Sequence, residues 1–349
     1  MAKVDTSKKM PRLLSIDLGY SSVKVCRYDE EGVIVYEKFI SAVAKLPQVP
    51  LEIDDDLMFR LGTDYFCLST AALKQPKSYL LNLENFEDLK AAYPVWISYL
   101  LKRYGGPEMF DHVIIGLSLA FNDKVDELLQ YLYETLMIDP GNTYFICLPQ
   151  GLSCKEAYSE LGLNLREPST KTDQRLLDYL LVDGGFLTID ATAVTGGKAA
   201  ASSAIGIPKS GVINIAYNTM DYLYKTYEMR VSVKEAATIV DNDGIFQKRG
   251  KKYNISDQVE KFTKAYLVNV IKLIEDRFGE NLDAGCQGIL ILGGLAYFFE
   301  KYMNDDDMKK EIEKHFPISF IHLPPVDAEF FNCYSYLRII EKKLGYQLV

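Results

Sequence analysis

Apolar residues along this chain fall into two kinds of run, short continuous blocks and longer stretches at helical spacing. Leu13 to Ile16 is a compact block that stops at Asp17-Leu18-Gly19, and Val23 to Tyr28 follows at once. That pattern predicts two strands joined by a turn rich in Gly and Ser. Residues 33–40 continue the strand character. From about 41 to 111 the pattern is less regular, with breakers at Gly62, Pro76, Pro94 and Gly105-Gly106 and a helix near 85–103; the stretch reads as an inserted subdomain. VIIGLSL at 113–119 is again strand-like. A helix from Asp123, with Asn122 as its cap, carries Val125, Leu128, Leu129, Leu132 and Leu136 on one face. A strand at Tyr144 to Leu148 then meets Pro149-Gln150-Gly151, with a further helix through about 161.

The polar, Pro-containing stretch 164–177 is the natural boundary, and beyond it the plan repeats. Leu180 to Val182 is an apolar strand ending at Asp183-Gly184-Gly185, and extended residues run from Phe186 to Val194. A Gly196-Gly197 turn leads to a third strand near 198–205, and a helix opens around Gly211 and reaches about 227. A short helix at 232–240 and a polar hairpin at 242–255 follow. The longest helix, about 257–278, has Ser256 as its expected cap and Gly279 past its end. A strand at Gly288 to Leu292 enters Gly293-Gly294 and a helix from about 295 to 303. A strand near 318–322 and a helix near 328–343 close the pattern. Strand-rich blocks alternating with helices, given twice, predict an α/β protein of two similar lobes.

At 349 residues the chain has length for about two domains. Its 39 basic and 48 acidic residues leave a net charge of −9, which argues against general nucleic-acid binding. The six cysteines are scattered and only three histidines are present, so no zinc-site spacing exists. With no run of about 20 apolar residues, a cytoplasmic protein that does not span a membrane is expected. The hairpin segment Gln247-Lys248-Arg249-Gly250-Lys251-Lys252 is a short basic patch, read most simply as a solvated turn, with a protein–protein contact as the alternative.

Three constellations carry chemistry. Asp17-Leu18-Gly19-Tyr20-Ser21-Ser22 places Gly and small hydroxyl residues where backbone N–H groups can meet phosphate oxygens. Its leading Asp suits Mg²⁺ held through water. Asp183-Gly184-Gly185-Phe186-Leu187-Thr188-Ile189-Asp190 duplicates the position of that Asp and adds the hydroxyl of Thr188. Gly293-Gly294, between a strand and a helix, lets a flat ring or sugar lie against backbone. Asp139-Pro140-Gly141 and Asp283-Ala284-Gly285 share the Asp-x-Gly triplet but lead into no hairpin. No P-loop or dinucleotide fingerprint follows a strand.

In this order the blocks resemble the actin, Hsp70 and sugar-kinase superfamily, and within it the ParM-like bacterial actins, over nearly the whole chain. The segments behind the resemblance are LLSIDLGYSSVKV, GTDYF at 62–66, VIIGLSL, FICLPQGLSCKEAY, LLVDGGFLTIDA and ILILGGLAYFF. The resemblance implies an actin-like (ribonuclease H-like), duplicated two-lobe α/β fold with a nucleotide cleft between the lobes. Lobe I would be 1–165 plus 325–349, with an insertion at about 30–111; lobe II would be 166–324, with an insertion at about 207–284.

It further implies that Asp17 and Asp183 position Mg²⁺, mostly through water. Gly19, Tyr20, Ser21 and Ser22 would surround the β-phosphate, with Gly184, Gly185 and Thr188 across the cleft. Gly293 and Gly294 would flank adenosine, and Gly206 and Gly211 would approach the ribose or phosphates. Gln150 would orient the attacking water, where founding members carry Glu, and Leu295 stands where many relatives have a third glycine. The implied function is an ATPase (ATP, alternatively GTP, with Mg²⁺) that polymerises into filaments for plasmid or DNA segregation. Its partners would be other copies of itself and a DNA-binding adaptor. The competing expectation is a small-molecule kinase of the same superfamily.

Overall fold

The computed structural model describes residues 12–48, 56–81, 83, 85–137, 144–151, 153–155, 165–166, 173–174, 178–199, 203–324 and 327–345. The chain divides into two units, Met1–Ala157 with Asn332–Val349, and Tyr158–Phe331.

In the first unit the strands are β1 (Leu13–Leu18), β2 (Ser22–Tyr28), β3 (Ile34–Ile40), β4 (Val43–Leu46), β5 (Met58–Leu61), β6 (Asp64–Leu68), β7 (His112–Leu117) and β8 (Tyr144–Pro149). The main sheet has the order β3-β2-β1-β7-β8. Its first three strands are antiparallel neighbours, whereas β1, β7 and β8 run parallel. Every residue of β1 is buried, as a strand covered on both faces requires, which is why it reads as a continuous apolar run. The short helix α1 (Ser69–Leu73) falls in the stretch whose pattern is irregular, whereas helices α2 (Phe86–Arg103) and α3 (Val125–Leu136) follow the expected periodicity, with Tyr93 and Trp96 of α2 wholly buried.

The second unit repeats that plan. A two-stranded pair, β9 (Leu165–Arg166) and β10 (Asp173–Gln174), precedes β11 (Tyr179–Gly184), β12 (Thr188–Thr195), β13 (Lys198–Ala199) and β14 (Ile205–Pro208). After helices α4 (Ile213–Tyr227) and α5 (Val233–Asp241) come the hairpin β15 (Ile245–Lys248) and β16 (Lys251–Asn254) and helix α6 (Ser256–Asp283). Strand β17 (Ile289–Leu292), helices α7 (Gly293–Tyr302) and α8 (Asp306–Ile312) and strand β18 (Ile321–His322) complete it. The sheet order is β13-β12-β11-β17-β18, with β14 also on β12. Here too an antiparallel hairpin leads into three parallel strands, β11, β17 and β18. Val259, Tyr266, Val270, Ile274 and Phe278 of α6 are buried in the core of this unit.

Several boundaries differ from the sequence pattern. Strands β4, β5 and β6 form an antiparallel sheet in the order β4-β6-β5, and at four or five residues each they are too short to show a period. Asn122 is not a helix cap: Ser118 accepts from the Ala120 N–H at 3.3 Å, and a 3-10 turn leads into α3. Helix α6 runs through Gly279 to Asp283, and Ser256 spends its hydroxyl on the Asp243 carbonyl rather than on a cap. A glycine inside a helix costs about 1 kcal/mol; half-buried Leu282, packed on the core, favours the extra turn. Helix α7 begins at Gly293 itself, two residues earlier than the pattern suggests. Residues 318–320 form a 3-10 turn ahead of β18. The expected boundary at 164–177 and the helix through 161 lie largely outside the described residues.

Candidate nucleotide site

In the first unit, Asp17 is next to last in β1, and register places Lys24 of β2 directly opposite it. The three residues Gly19, Tyr20 and Ser21 turn the chain, and Gly19 N–H donates to the Ser22 carbonyl at 3.0 Å. Ser41 holds the turn from outside: its N–H donates to the Ser21 carbonyl at 3.0 Å and its hydroxyl to the Tyr20 carbonyl at 2.6 Å. Tyr20 and Ser22 are buried, whereas Gly19 and Ser21 are partly open.

Asp17 is only 2% exposed, so its charge needs partners. The Gln150 amide Nε2 donates to Asp17 Oδ1 at 2.5 Å, and Lys24 Nζ lies 3.5 Å from Oδ2. A carboxylate only accepts, so it fixes which end of the Gln150 amide faces it and turns Oε1 away. Gln150 directly follows β8, anchored by its own N–H on the Leu117 carbonyl at 2.8 Å. The next residue, Gly151, donates to Asn332 Oδ1 at 3.1 Å. Nearby on β8, burial pushes the Cys147 thiol up to about 12, so it stays neutral and is no nucleophile.

The second unit builds the same turn from different parts. Gly185, Phe186 and Leu187 form the loop, closed by Gly185 N–H on the Thr188 carbonyl at 2.9 Å. Opposite Asp183 stands not a lysine but Asp190, and both carboxylates are buried. Residues directly opposed in an antiparallel pair share a face, and two carboxylates so placed favour a cation between or beside them. Gly206 pairs with Asp190 from the other side, on β14.

Three contacts tie this turn to the start of α4: Gly211 N–H to Leu187 O (3.2 Å), Val212 N–H to Gly185 O (3.1 Å) and Ile213 N–H to Phe186 O (2.8 Å). A Cβ on Gly211 would press into the Gly185 carbonyl oxygen at 2.5 Å. Gly293, at φ +69°, sits so close to the first strand that a Cβ would lie 2.6 Å from Asp183 Oδ1 and 2.7 Å from the Gly184 carbonyl oxygen. Gly184 itself makes room for Leu295, whose Cδ2 would be 2.7 Å from a Cβ there. Leu295 is fully buried, so the residue in the third-glycine position is core. Gly294 is partly open, with only the Gly184 carbonyl oxygen (3.9 Å) within 4 Å of an added Cβ.

The structure therefore gathers Asp17, Gly19, Tyr20, Ser21, Ser22 and Gln150 at one end of the first sheet. It gathers Asp183, Gly184, Gly185, Thr188, Gly206, Gly211, Gly293 and Gly294 at the corresponding end of the second, where β11 and β17 finish. Such strand ends are where ligands sit in open α/β sheets. Lys24 and Asp190 are the residues the sequence reading passed over. Their signal was present: Leu18 faces Val23 and Gly184 faces Ile189 across four residues, so the position one step earlier pairs with i + 7, which sets 24 against 17 and 190 against 183. Among the described residues no group of three or more His, Cys, Asp or Glu could cage a metal, and no helix is long and apolar enough to cross a membrane.

No protein-family model and no curated protein matches the chain. Solved structures do. A 15-stranded ParM filament from Clostridium botulinum is 17% identical, with 95% of this chain and 99% of that one covered at a TM-score of 0.67. An archaeal actin homologue in complex with ADP is 15% identical over the same shares, at a TM-score of 0.63. Bacillus thuringiensis ParM with ATP is 13% identical, again over 95% and 99%, at 0.60. With its strand plan given twice and this coverage, the chain has the actin-like fold, in the form seen in ParM structures.

Proposed function

We propose that this protein binds a nucleoside triphosphate with Mg²⁺, hydrolyses it slowly, and couples that cycle to assembly into filaments that serve DNA segregation through an adaptor. The observation that carries the reading is the Gln150–Asp17 contact beside the β1–β2 turn. An archaeal actin homologue with ADP, a ParM with ATP and, separately, a ParM filament among the structural neighbours support it.

The residues present fit the group. The Gly19–Ser21 turn offers backbone donors, Lys24 a cation, and the Asp183–Asp190 pair a place for a divalent ion with its waters. When bound, Mg²⁺ would neutralise charge on the phosphates. Gly293 and Gly294 leave room for the nucleoside. Gln150, its Nε2 held by Asp17, presents Oε1 to accept a hydrogen bond from a water, aiming the water's lone pair at the terminal phosphorus. Attack forms the new P–O bond, the bond to the bridging oxygen breaks, the water's proton passes to the phosphate oxygens, and nucleoside diphosphate and inorganic phosphate leave. A carboxamide is too weak a base to take the proton fully, so turnover is slow.

Gln150→Ala tests this directly. Phosphate release should fall about 100-fold while affinity for the nucleotide stays within about threefold. Unchanged release would remove Gln150 from the mechanism. Turnover that requires an added small-molecule acceptor, at dilute protein, would mark a kinase instead.

A further inference from the structure

The hairpin β15–β16 plays no part in the nucleotide site, yet it is built in an unusual way. Its tip, Arg249-Gly250, has both residues at positive φ (+50° and +78°), the geometry of a tight hairpin turn that favours Asn-Gly or Gly-Gly. Arginine in that conformation is strained, and strain of this kind collects where a side chain is needed. Residues 247–252 carry four cations and no carboxylate.

The two faces of the hairpin differ. Register puts Phe246, Lys248, Lys251 and Tyr253 on one face and Ile245, Gln247, Lys252 and Asn254 on the other. The first face is satisfied within the protein. Phe246 stacks on Tyr253 at 5.1 Å, Tyr253 meets Tyr227 of α4 at 5.6 Å, and Lys248 pairs with Glu235 at 3.2 Å. Lys251 lies over the Tyr253 ring at 5.3 Å.

The second face is turned to solvent. Ile245 is 43% exposed, Gln247 and Lys252 are exposed, and neither Lys252 nor Arg249 has a carboxylate partner among the described residues. Free cations, an arginine among them, beside an exposed Ile have the composition of an interface centre rather than of a solvated turn.

We infer that this outer face, centred on Arg249 and Lys252, docks on a carboxylate-bearing surface of a second copy of the chain. Charge selects the occupant. The chain carries net −9, so another copy is on balance anionic, and exposed Glu30, Glu31 and Asp306 have no basic partner among the described residues. A nucleic acid would meet the same local cations but be repelled by the rest of the acidic surface. The inference rests on the assembly part of the proposed function, and names a surface through which copies meet.

The test compares the full-length parent with Arg249→Glu/Lys252→Glu and with Arg249→Gly, which removes one charge while relieving the backbone. With Mg²⁺-ATP, sedimentation should show that the double reversal needs about tenfold more protein to assemble, with nucleotide affinity unchanged, and that added salt weakens the parent in the same direction. Arg249→Gly should fall between them while melting no lower than the parent. Variants that assemble at the parent's concentration overturn the inference. Loss of binding to a duplex DNA oligomer with assembly intact also overturns it, in favour of nucleic acid. Should the parent bind nucleotide but never sediment, the assembly reading fails by itself. Sedimentation velocity in about 20 mM salt then decides the hairpin, a strictly monomeric parent counting against it.

Discussion

The two strand–turn–strand blocks share a motif, a turn length and a place in their sheets, yet they are held by opposite means. In the first unit the aspartate faces a lysine and accepts from a glutamine, and the hydroxyl and N–H of Ser41 secure the turn. In the second, the aspartate faces another aspartate, and the turn is secured by backbone lying on backbone at glycines that admit no side chain. One copy is fixed by polar side chains, the other by close approach. The lesson is that a repeated motif need not repeat its mechanical tolerance: side chains can adjust, whereas a carbonyl oxygen in a packed turn cannot.

The sharpest way to break the comparison is to add one methyl group in the first turn and at the glycines packed against the second hairpin. Gly211→Ala drives a Cβ into the Gly185 and Phe186 carbonyls, and Gly293→Ala adds an unfavourable φ to a 2.6 Å approach to Asp183. Each should cost about 3 kcal/mol or more, read as a fall in the urea midpoint, or prevent folding outright. Gly19→Ala meets the Ser22 carbonyl oxygen at 3.1 Å and Lys24 Nζ at 3.8 Å, and should cost less than about 1 kcal/mol. Equal losses at Gly19 and Gly211 would dissolve the distinction.

A smaller effect separates the two facing residues. Lys24→Met removes a cation and should weaken nucleotide binding about tenfold while leaving the Mg²⁺ requirement alone. Asp190→Asn removes half of a carboxylate pair and should raise the Mg²⁺ concentration needed for half-maximal binding about tenfold. Titrating nucleotide and Mg²⁺ separately in both variants checks the assignment. If both variants shift the same titration, the units do not divide the work between phosphate and ion.

Much of this was legible in the residues. Continuous apolar blocks ending at Asp17 and Asp183 predicted the two hairpins, and helical spacing predicted α2, α3, α4 and α6, because those elements are long and bury one stripe or both faces. What escaped depends on distant partners. Strands β4 and β5 have four residues each, too few to show a period, and exist through pairing with β6, and Gly279 sits inside a helix because Leu282 finds the core one turn later. Leu295 reads as an oddity beside two glycines until Gly184 supplies its pocket. Lys24 and Asp190 were hidden by looking along the chain instead of across the turn.

The finest distinction lies at the opposite ends of the same strands. The residue before β7, Asp111, gives its N–H to the Arg12 carbonyl at 2.7 Å and takes the Arg12 N–H on its carboxylate at 3.4 Å. Gln287, two residues before β17, does the same for Asp178, at 2.7 Å and, through its amide oxygen, 3.0 Å. The clip is common to both units, but only the first is ionic, with Arg12 Nη2 also 2.5 Å from Asp111 Oδ1. That side-chain hydrogen bond, chiefly, holds the Asp111 carboxyl below its ordinary value of 3.8. A carboxylate depressed by folding contributes stability that is whole above the unfolded value and drains away as pH falls through the folded one. Asp111→Asn keeps an oxygen acceptor and makes the first clip as neutral as the second. It should cost less than about 1 kcal/mol near neutral pH, since both partners are largely solvated. The difference from the parent should shrink below about pH 4 and close at lower pH, whereas Gln287→Ala should cost a similar amount at every pH. A parent-to-Asn gap that stays constant down to about pH 3 would mean that the charge contributes nothing and the shared backbone bond is the whole of the clip.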